Sequence, residues 1–443
     1  MQRIAFVAVL IGYLALATGY AALTPEWQAP DEPAHYNVVR QIAQTGALPV
    51  LAPGDYDQNY LSEVISAGFP PDAQLDQIQY QDYQPPLYYL LAVPAFWLGG
   101  GALLPVRLVS VLFGAGALIF AYLALSALTR PGSWLPVLTV GLIAFIPQHL
   151  AILASVNNDS LSELWVCAGA WLAAREARAI QPLGRVWAAA LPLVLGLAFL
   201  TKVWAYVLVP VVGVLLLWQW RRFGMRAAAR RGLQIVIPAL LLGALYWGRN
   251  LVVCGPADFV CGAHHNSIVV GQPTAAAGVK AAGGLTPYVS AGLQTTFTSF
   301  WGQFGWMGVP LDPRTVKILM VATAAALLGG LIAFSRTARA LTIDQRWALA
   351  LMATLGLSTA GVFVYYNLGF QQFQGRYLYS ALLPLALIGA AGLREWVRLT
   401  LALAKRLAPI PAWLEPALLL SSVAVLALFA AWALVRVVVP NLS

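Results

Sequence analysis

The sequence predicts an all-α integral membrane protein with about eleven transmembrane helices. Of its 443 residues, 60% are hydrophobic and only 10% are charged, whereas a soluble protein carries about 25% charged residues. Apolar runs of span length recur along the chain, separated by short polar or basic segments. Composition and recurring runs therefore predict one polytopic membrane unit over residues 1–443 and exclude a soluble globular fold.

The predicted spans follow the apolar runs in chain order. They cover residues 4–23, 105–128, 134–153, 160–174, 186–200, 203–220, 232–250, 316–334, 347–366, 378–393 and 414–436. Several are shorter than the roughly 20 residues that a perpendicular helix needs. A further apolar run, 86–100, is also short and ends in glycines, so its length alone does not decide whether it crosses the membrane.

Charge decides the orientation of the chain. The loop 24–86 contains nine acidic residues and one basic residue, whereas the loops 221–231, 336–346 and 394–406 are basic. Basic loops remain in the cytoplasm, and these assignments agree only if the run 86–100 lies in the interface or re-enters. The N-terminus is then cytoplasmic. The net charge of +9 follows from the same rule and does not indicate a nucleic-acid partner.

This orientation collects the polar chemistry on one outer face. The outer segments are the first loop 24–104, the turn 155–160, the second large loop 250–315 and the segment 371–377. In the second loop, Cys254 and Cys261 either form a structural disulfide, which an oxidising compartment permits, or remain free thiols. We expect an active site on this extracytoplasmic face.

An acidic motif, Pro30-Asp-Glu-Pro-Ala-His-Tyr36, follows the first predicted span. Asp31 or Glu32 is a suitable N-cap for a helix with Pro33 in its first turn. The next residues form an apolar stripe, typical of an amphipathic helix on the membrane surface: Ala34, Val38, Val39, Ile42 and Ala43. Capping needs only one carboxylate and does not involve His35. We therefore predict that at least one of the two acids is catalytic, and we favour Asp31.

Further short motifs occur in order along the chain. They are Gln84-Pro-Pro-Leu-Tyr-Tyr89, Arg107-Leu108, Asn157-Asn-Asp-Ser-Leu161, Leu200-Thr-Lys202 and Gln374-Gly-Arg-Tyr-Leu378. The motifs that begin at Gln84, Arg107 and Leu200, together with the Asp-Glu pair that follows the first span, resemble the GT-C superfamily of membrane glycosyltransferases. The resemblance is to the branch of the protein O-mannosyltransferases and the aminoarabinose transferase. The other two are similar to an uncharacterised bacterial family of predicted membrane glycosyltransferases.

The resemblance implies a GT-C-like fold in a multi-pass protein of the bacterial plasma membrane, with interfacial helices in the large first loop. It also implies transfer of a sugar from a polyprenyl-phosphate donor to an extracytoplasmic lipid, polysaccharide or protein. An outer-loop Asp is the general base in this family, which corresponds to Asp31 here. Since phosphate is a good leaving group, one base and a few cations suffice. A double displacement through a second carboxylate is also open. Pro33 departs from the branch pattern, so the substrate does not carry over.

Cations near the predicted outer ends of the spans are candidates for binding the phosphate. Arg376 is the first of them, because its Gly- and Gln-rich neighbours predict a turn that presents the guanidinium, although interfacial arginines also snorkel to headgroups. The other candidates for substrate or phosphate binding are His35, Arg107, Lys202, Arg249 and Tyr377. Asp159 either caps the span that follows it or, with Asp31 and Glu32, belongs to the catalytic acids.

We predict no cofactor and no metal. A divalent cation between Asp31 and Asp159 is only weakly indicated, and the spacing of His264-His265 matches no zinc site. The aromatic stretch 297–307 predicts either an interfacial belt or one wall of a sugar site. The predicted partners are the lipid-linked donor, its acceptor and membrane lipids.

Two other functions are compatible with the sequence. A transporter or lipid-sugar flippase would place charges near the bilayer midplane and show inverted repeats, whereas most acids here fall in outer loops and no repeat is evident. A non-catalytic scaffold in an envelope-polysaccharide complex would keep the fold without the chemistry. The grouping of Asp31, Asp159 and Arg376 favours an enzyme.

Overall fold

The computed structural model describes residues 1–178 and 185–442. Their α-helices are, in chain order, α1 (Gln2–Leu23), α2 (Glu32–Thr45), α3 (Gln58–Ser66), α4 (Leu87–Leu98), α5 (Leu103–Leu128), α6 (Leu135–Ala144), α7 (Pro147–Leu153), α8 (Asp159–Arg178), α9 (Arg185–Phe199), α10 (Leu208–Phe223), α11 (Met225–Val253), α12 (Gly262–Ile268), α13 (Ala275–Ala281), α14 (Leu285–Trp301), α15 (Pro313–Thr337), α16 (Ile343–Gly369), α17 (Leu382–Ala404), α18 (Leu414–Ala433) and α19 (Val439–Leu442). The predicted all-α class is confirmed.

Short irregular elements complete the fold. Four 3₁₀-helices cover Leu75–Gln77, Val203–Val207, Ala338–Ala340 and Gly375–Ala381, and a π-helical turn covers Leu434–Val438. Two strands, β1 (Gln303–Phe304) and β2 (Val309–Pro310), pair antiparallel, with Gln303 opposite Pro310. Within the described ranges these two-residue strands make the one sheet of the fold.

Eight helices of the described chain are long and apolar enough to cross a membrane, judged by length and composition. They are Gln2–Leu23, Leu103–Leu128, Val203–Phe223, Met225–Val253, Pro313–Ala340, Ile343–Gly369, Gly375–Ala404 and Leu414–Leu442. The helices α6 and α7 form a ninth span if they are counted together, although they are bent by 69° at the break before Pro147. Proline in a helix removes a backbone donor and clashes with the preceding turn, which explains the bend.

The predicted count of eleven spans is not confirmed, although each predicted span falls on a helix. The difference lies in α8, which is charged at both ends, and in α9, which is 15 residues long. The charges of α8 are paired inside the protein: Glu163 contacts His149 at 2.8 Å and Glu176 contacts Arg231 at 2.6 Å. Charged groups within helix bundles are expected to be paired in this way.

The apolar run 86–100 forms α4, a helix of 12 residues. At 1.5 Å per residue it is about 18 Å long, too short to cross a hydrocarbon core of about 30 Å. It packs against α2 and α5. This length agrees with the prediction that the run does not cross on its own.

The helix predicted after the acidic motif is α2, which has Pro33 in its first turn and ends at Gly46, where φ is 69°. Glycine adopts this left-handed conformation without strain. The apolar stripe of α2 is buried against α4, where Val38 and Val39 join a cluster with Tyr89. The apolar stripe of α2 therefore packs on α4 of the same chain.

Candidate active site

A polar cavity of about 320 Å³ lies where the first loop meets three later segments. Its walls come from residues 30–35, 56–65 and 80–84 of the first loop, from 202–204, from 265–273 with 306–307, and from 366–377. The turn 155–160 joins it from behind, since Asn158 donates a hydrogen bond to Gln84 at 3.2 Å. All four segments that the sequence assigned to one outer face thus meet around this cavity.

Asp31 immediately precedes α2, and its backbone is left-handed, with φ of 67°. Its side chain does not cap the helix. One carboxylate oxygen accepts a hydrogen bond from the Tyr80 hydroxyl at 2.8 Å, and the other accepts one from the Arg376 guanidinium. The capping role considered for Asp31 is therefore excluded. Strained backbone of this kind is concentrated at functional sites.

The surroundings of Asp31 determine its charge. Burial would raise the pKa of this carboxyl, but the charge of Arg376, helped by hydrogen bonds from Arg376 and Tyr80, lowers the pKa to about 2. Asp31 is therefore ionised at every pH at which the protein would be assayed. Asp31 can accept a proton only if the Arg376 guanidinium moves away from it or also binds another anion.

Arg376 is positioned by the glycine before it. A Cβ atom on Gly375 would lie 2.3 Å from the backbone nitrogen of Phe300, so only glycine allows the segment to approach α14 this closely. The Gly375 amide also donates to the Ser299 hydroxyl at 2.8 Å. This contact forms the turn that the Gly- and Gln-rich sequence predicted, and it holds the next residue at the cavity.

The guanidinium of Arg376 is buried but only partly satisfied. One nitrogen, Nη2, donates to Asp31, whereas Nε and Nη1 have no hydrogen-bond partner. Buried polar groups are almost always paired, so two free donors of one buried arginine indicate a missing acceptor. Oxygen atoms of a phosphate match the planar fork of donors on a guanidinium.

A second ion pair stands beside the first. The Lys202 ammonium donates to an Asp159 carboxylate oxygen at 2.6 Å, and Lys202 lines the cavity. Asp159 is in the first turn of α8 and, unlike Lys202, is not among the residues that line the cavity. The cation is thus the group presented to a ligand, and the carboxylate holds it in place.

His35 also lines the cavity, and its Nδ1 lies 2.7 Å from the Tyr89 hydroxyl. Burial lowers the pKa of this imidazole to about 3, and the charge of Lys202 adds to the effect. His35 is therefore neutral at physiological pH. It can orient or accept a hydrogen bond, but it adds no positive charge to the site.

The structure does not bring Glu32 and Arg107 to the cavity. Both are buried, and they pair with each other through two hydrogen bonds of 2.8 and 2.6 Å. Arg107 also donates to the carbonyls of residues 21, 24 and 25, and Glu32 accepts the amide of Val156 at 3.0 Å. Every charged atom is satisfied by protein, so the pair ties the end of α1 to α2, α5 and the turn before α8.

Two further candidates have different positions. Arg249 binds the carbonyls of Leu48 and Pro49 and lies outside the cavity lining. Tyr377 is in the cavity wall, where its ring stacks on Trp204 with centroids 5.0 Å apart and the planes inclined by 9°. Of these two, only Tyr377 can contact a molecule in the cavity.

Several cavity residues were not singled out in the sequence. Tyr80, which holds Asp31, belongs to the Tyr- and Gln-rich stretch 74–84, whose composition was the available signal. His265, which the sequence analysis considered only as part of a histidine pair that matches no zinc site, packs on Tyr83 with ring centroids 4.2 Å apart. Trp306 shows that the aromatic stretch 297–307 contributes to the wall. The residues come from segments far apart in sequence, so no local pattern groups them.

The second large loop is braced over the cavity. Cys254 and Cys261 form a disulfide, which the sequence left undecided. Asp258, between them, accepts the amides of Gly262 and His264 at 2.7 Å each, and so begins α12. The His264 ring contacts the Leu51 carbonyl of the first loop at 2.8 Å. The bridge and the contacts of Asp258 stabilise the second loop internally, and the contact of His264 with Leu51 connects it to the first loop.

A metal ion has no evident place among these groups. Within residues 1–178 and 185–442, no cluster of three or more His, Cys, Asp or Glu side chains could hold one. Asp31 and Asp159, the pair weakly indicated by the sequence, each already face a cation. Carboxylates neutralised by a guanidinium and an ammonium are poorly suited as metal ligands.

The fold of this chain is that of solved GT-C membrane glycosyltransferases. The predicted resemblance is thus confirmed for the fold. A comparison with protein-family models gave no match, and neither did one with curated proteins. Solved structures do match this chain.

Two of these structures show the extent of the likeness. ArnT, the aminoarabinose transferase of Cupriavidus metallidurans, was solved bound to undecaprenyl phosphate; it aligns with a TM-score of 0.53 and 16% identity over 99% of this chain and 73% of ArnT. The oligosaccharyltransferase AglB of Archaeoglobus fulgidus was solved with an inhibitory peptide and a dolichol-phosphate. It aligns with a TM-score of 0.52 and 12% identity over 97% of this chain, which spans about half of AglB (55%).

Proposed function

We propose that this protein transfers a sugar from a polyprenyl-phosphate-linked donor to an acceptor outside the cytoplasm, in the plasma membrane. Support comes from the fold it shares with two glycosyltransferases that were solved with a polyprenyl phosphate. The observation that carries the proposal is the pair of Asp31 with the buried Arg376, in which two guanidinium donors are unpartnered. A base and a phosphate-binding group therefore adjoin in one cavity.

The phosphate of the donor binds at a free nitrogen of Arg376. An oxygen of the phosphate accepts a hydrogen bond from Nε or from Nη1, which face different sides of the guanidinium, while Nη2 keeps its contact with Asp31, and Lys202 provides a second cation. Donors aimed at the charge that develops on a leaving group are among the strongest contributions to catalysis. The cations therefore stabilise the phosphate as it departs.

Asp31 is the general base. It takes the proton of the acceptor hydroxyl, the acceptor oxygen bonds to the anomeric carbon, and the bond from that carbon to the phosphate oxygen breaks. The electron pair leaves with the polyprenyl phosphate, and a single displacement inverts the anomeric centre. Because the bound phosphate competes for the guanidinium charge, it weakens the hold of Arg376 on Asp31 and makes the carboxylate more basic when it is needed.

The remaining cavity groups orient the reactants. Asp159 fixes the position of Lys202 through their 2.6 Å contact. His35, neutral and held by Tyr89, offers one ring nitrogen to the cavity. Tyr377 and Trp204 provide a stacked aromatic wall on which one face of a sugar can rest.

The test is donor turnover by purified protein in nanodiscs, with an added envelope extract as the source of acceptor hydroxyls, measured as release of polyprenyl phosphate from a panel of polyprenyl-phosphate sugars. Asp31→Asn removes the base but keeps the size of the side chain. We expect the variant to be at least about 100-fold slower than wild type, the lower range for loss of a general base. The matched control is Asp72→Asn, which neutralises an exposed acid of the same loop and should leave turnover unchanged.

The outcomes separate the rival functions. Equal turnover in Asp31→Asn and wild type, with both folded, would show that Asp31 is not the base. A labelled lipid-sugar that crosses the bilayer without release of polyprenyl phosphate would instead establish a flippase. Binding of donor without either event would leave the scaffold as the better description.

A further inference from the structure

Six glutamines line the cavity: Gln58, Gln81, Gln84, Gln272, Gln372 and Gln374. They come from the first loop, the second large loop and the segment before Arg376. Each side-chain amide contains both a hydrogen-bond donor and an acceptor, but no charge. Sugar hydroxyls also donate and accept, so a ring of amides matches them without requiring any particular ionisation.

Two of these amides are incompletely satisfied. The carbonyl oxygens of Gln81 and Gln374 are buried and have no hydrogen-bond partner, whereas Gln84 accepts from Asn158 at 3.2 Å. An unpaired buried acceptor costs about 1–3 kcal/mol. These two oxygens thus point to hydrogen-bond donors on the absent ligand, at positions separate from the free nitrogens of Arg376.

The charges at the cavity are already balanced. Asp31 pairs with Arg376 and Asp159 pairs with Lys202, so each cation has one anion. Among the described residues that line the cavity, Asp31 is the only carboxylate. The phosphate diester of a donor brings one negative charge, which the two cations can hold. A further negative charge on the sugar would have no cation left to meet, and Asp31, the lining carboxylate that could meet an ammonium, is already paired with Arg376.

We propose that the donor sugar is a neutral, polyhydroxylated one, recognised by these glutamines, and neither an amino sugar nor a uronic acid. This inference rests on the proposed function, because it names the substrate class of the same site. An ammonium on the sugar would compete with Arg376 for Asp31, and buried charges without a partner are strongly disfavoured. A sugar carboxylate would lie beside the phosphate and compete with it for Lys202.

The experiment uses the full chain in nanodiscs and three donors on one polyprenyl phosphate: glucose, 4-amino-4-deoxyarabinose and glucuronic acid. Equilibrium binding and polyprenyl phosphate release are measured for each. We expect the neutral donor to bind at least about 10-fold more tightly than either charged donor, equivalent to about 1.4 kcal/mol. Equal binding, tighter binding of a charged donor, or no binding of any donor would overturn the inference.

The two measurements keep the two proposals separate. Preferential binding of the neutral donor without release would support the inference but refute the proposed transferase. Release from the amino donor or the uronic donor in preference to the neutral one would support the transferase but refute the inference.

Variants connect the preference to the glutamines. Gln374→Glu and Gln81→Glu each place a carboxylate where an unpartnered amide oxygen lies, and we expect each to shift binding towards the amino donor by about 10-fold. Gln77→Glu adds the same charge at an exposed position of the first loop that is not in the cavity lining. An equal shift in Gln77→Glu, or no shift in either cavity variant, would remove the glutamines from sugar recognition.

Discussion

Asp31 and Glu32 are adjacent carboxylates, and each is paired with one arginine, yet their surroundings differ in one respect. All polar atoms of the pair between Glu32 and Arg107 have partners within the protein. In the pair between Asp31 and Arg376, two guanidinium nitrogens have none. The first pair is complete without a ligand and holds segments together, whereas the second has donors left for a substrate.

The comparison shows why an ion pair alone does not identify a site. Glu32 is fully buried, and the side chain of Asp31 retains 21% of its exposure. An ion pair whose polar atoms all have protein partners, and which a ligand cannot reach, has a structural role. A pair with free donors beside a cavity can bind something, and the predictions below separate these two roles.

The largest effect is expected from Glu32→Gln, which leaves the buried charge of Arg107 without its partner. Breaking one side of a buried pair typically costs about 3–5 kcal/mol, so the thermal unfolding temperature should fall markedly. Molecules that remain folded should still turn over donor at a rate close to wild type. Glu63→Gln, an exposed acid in α3, is the control. Full stability with lost turnover would reverse the roles assigned to the two carboxylates.

A smaller effect is expected from Arg376→Lys, which keeps the positive charge but removes the fork of donors. A lysine ammonium cannot contact Asp31 and also donate to a phosphate oxygen from a separate nitrogen, as the guanidinium does. Loss of one or two hydrogen bonds to a charged group corresponds to about 10- to 100-fold in kcat/KM. Steady-state kinetics with a donor that the wild-type protein turns over measures this loss of kcat/KM. Unchanged kinetics would mean that the charge alone is sufficient and that the free nitrogens bind nothing.

Lys202→Met should reduce kcat/KM for the donor by about 10-fold, the range for one hydrogen bond to a charged group. The variant retains the length of the apolar stem and leaves Asp159 without its cation. Asp159→Asn frees Lys202 instead and should have the smaller effect, because the cation is still present. If Asp159→Asn proves the more damaging, Asp159 acts in the reaction directly.

The smallest effect concerns Asp82, which is buried and receives two hydrogen bonds from Gln41, at 3.1 and 2.9 Å. Burial raises the pKa of this carboxyl to about 7, against the effect of those hydrogen bonds. The folded protein therefore holds this proton more tightly than the unfolded chain, so this contribution to stability is present at low pH and is lost as the pH rises from about 4 to about 7.

Asp82→Asn should remove that loss. We expect its unfolding temperature to exceed that of wild type by a few degrees at pH 8 and to match it at pH 4.5. A difference that is constant between the two pH values would show that Asp82 does not titrate in this range. The contribution of Asp31 to stability depends on pH in the opposite direction. Because its pKa is lowered in the folded protein, that contribution is present above about pH 4 and is lost as the pH falls.

Much of the architecture could be predicted from the sequence. The apolar runs identified a helix at each predicted span, because burial in lipid requires long apolar stretches whose backbone is satisfied internally. The number of crossings was less certain. The charges of α8 are paired inside the protein and α9 has only 15 residues, so neither helix meets the length and hydropathy expected of a helix that crosses a membrane.

The sequence also determined the chemistry that is available: a polar first loop, two acids at its start, and a Gly-Arg turn late in the chain. Only the tertiary structure decided which acid faces the cavity. Asp31 and Glu32 are one residue apart, and the left-handed backbone of Asp31 sends their side chains to different arginines. A sequence motif specifies which groups are present, whereas their roles depend on partners 75 and 345 residues away, which local pattern cannot reveal.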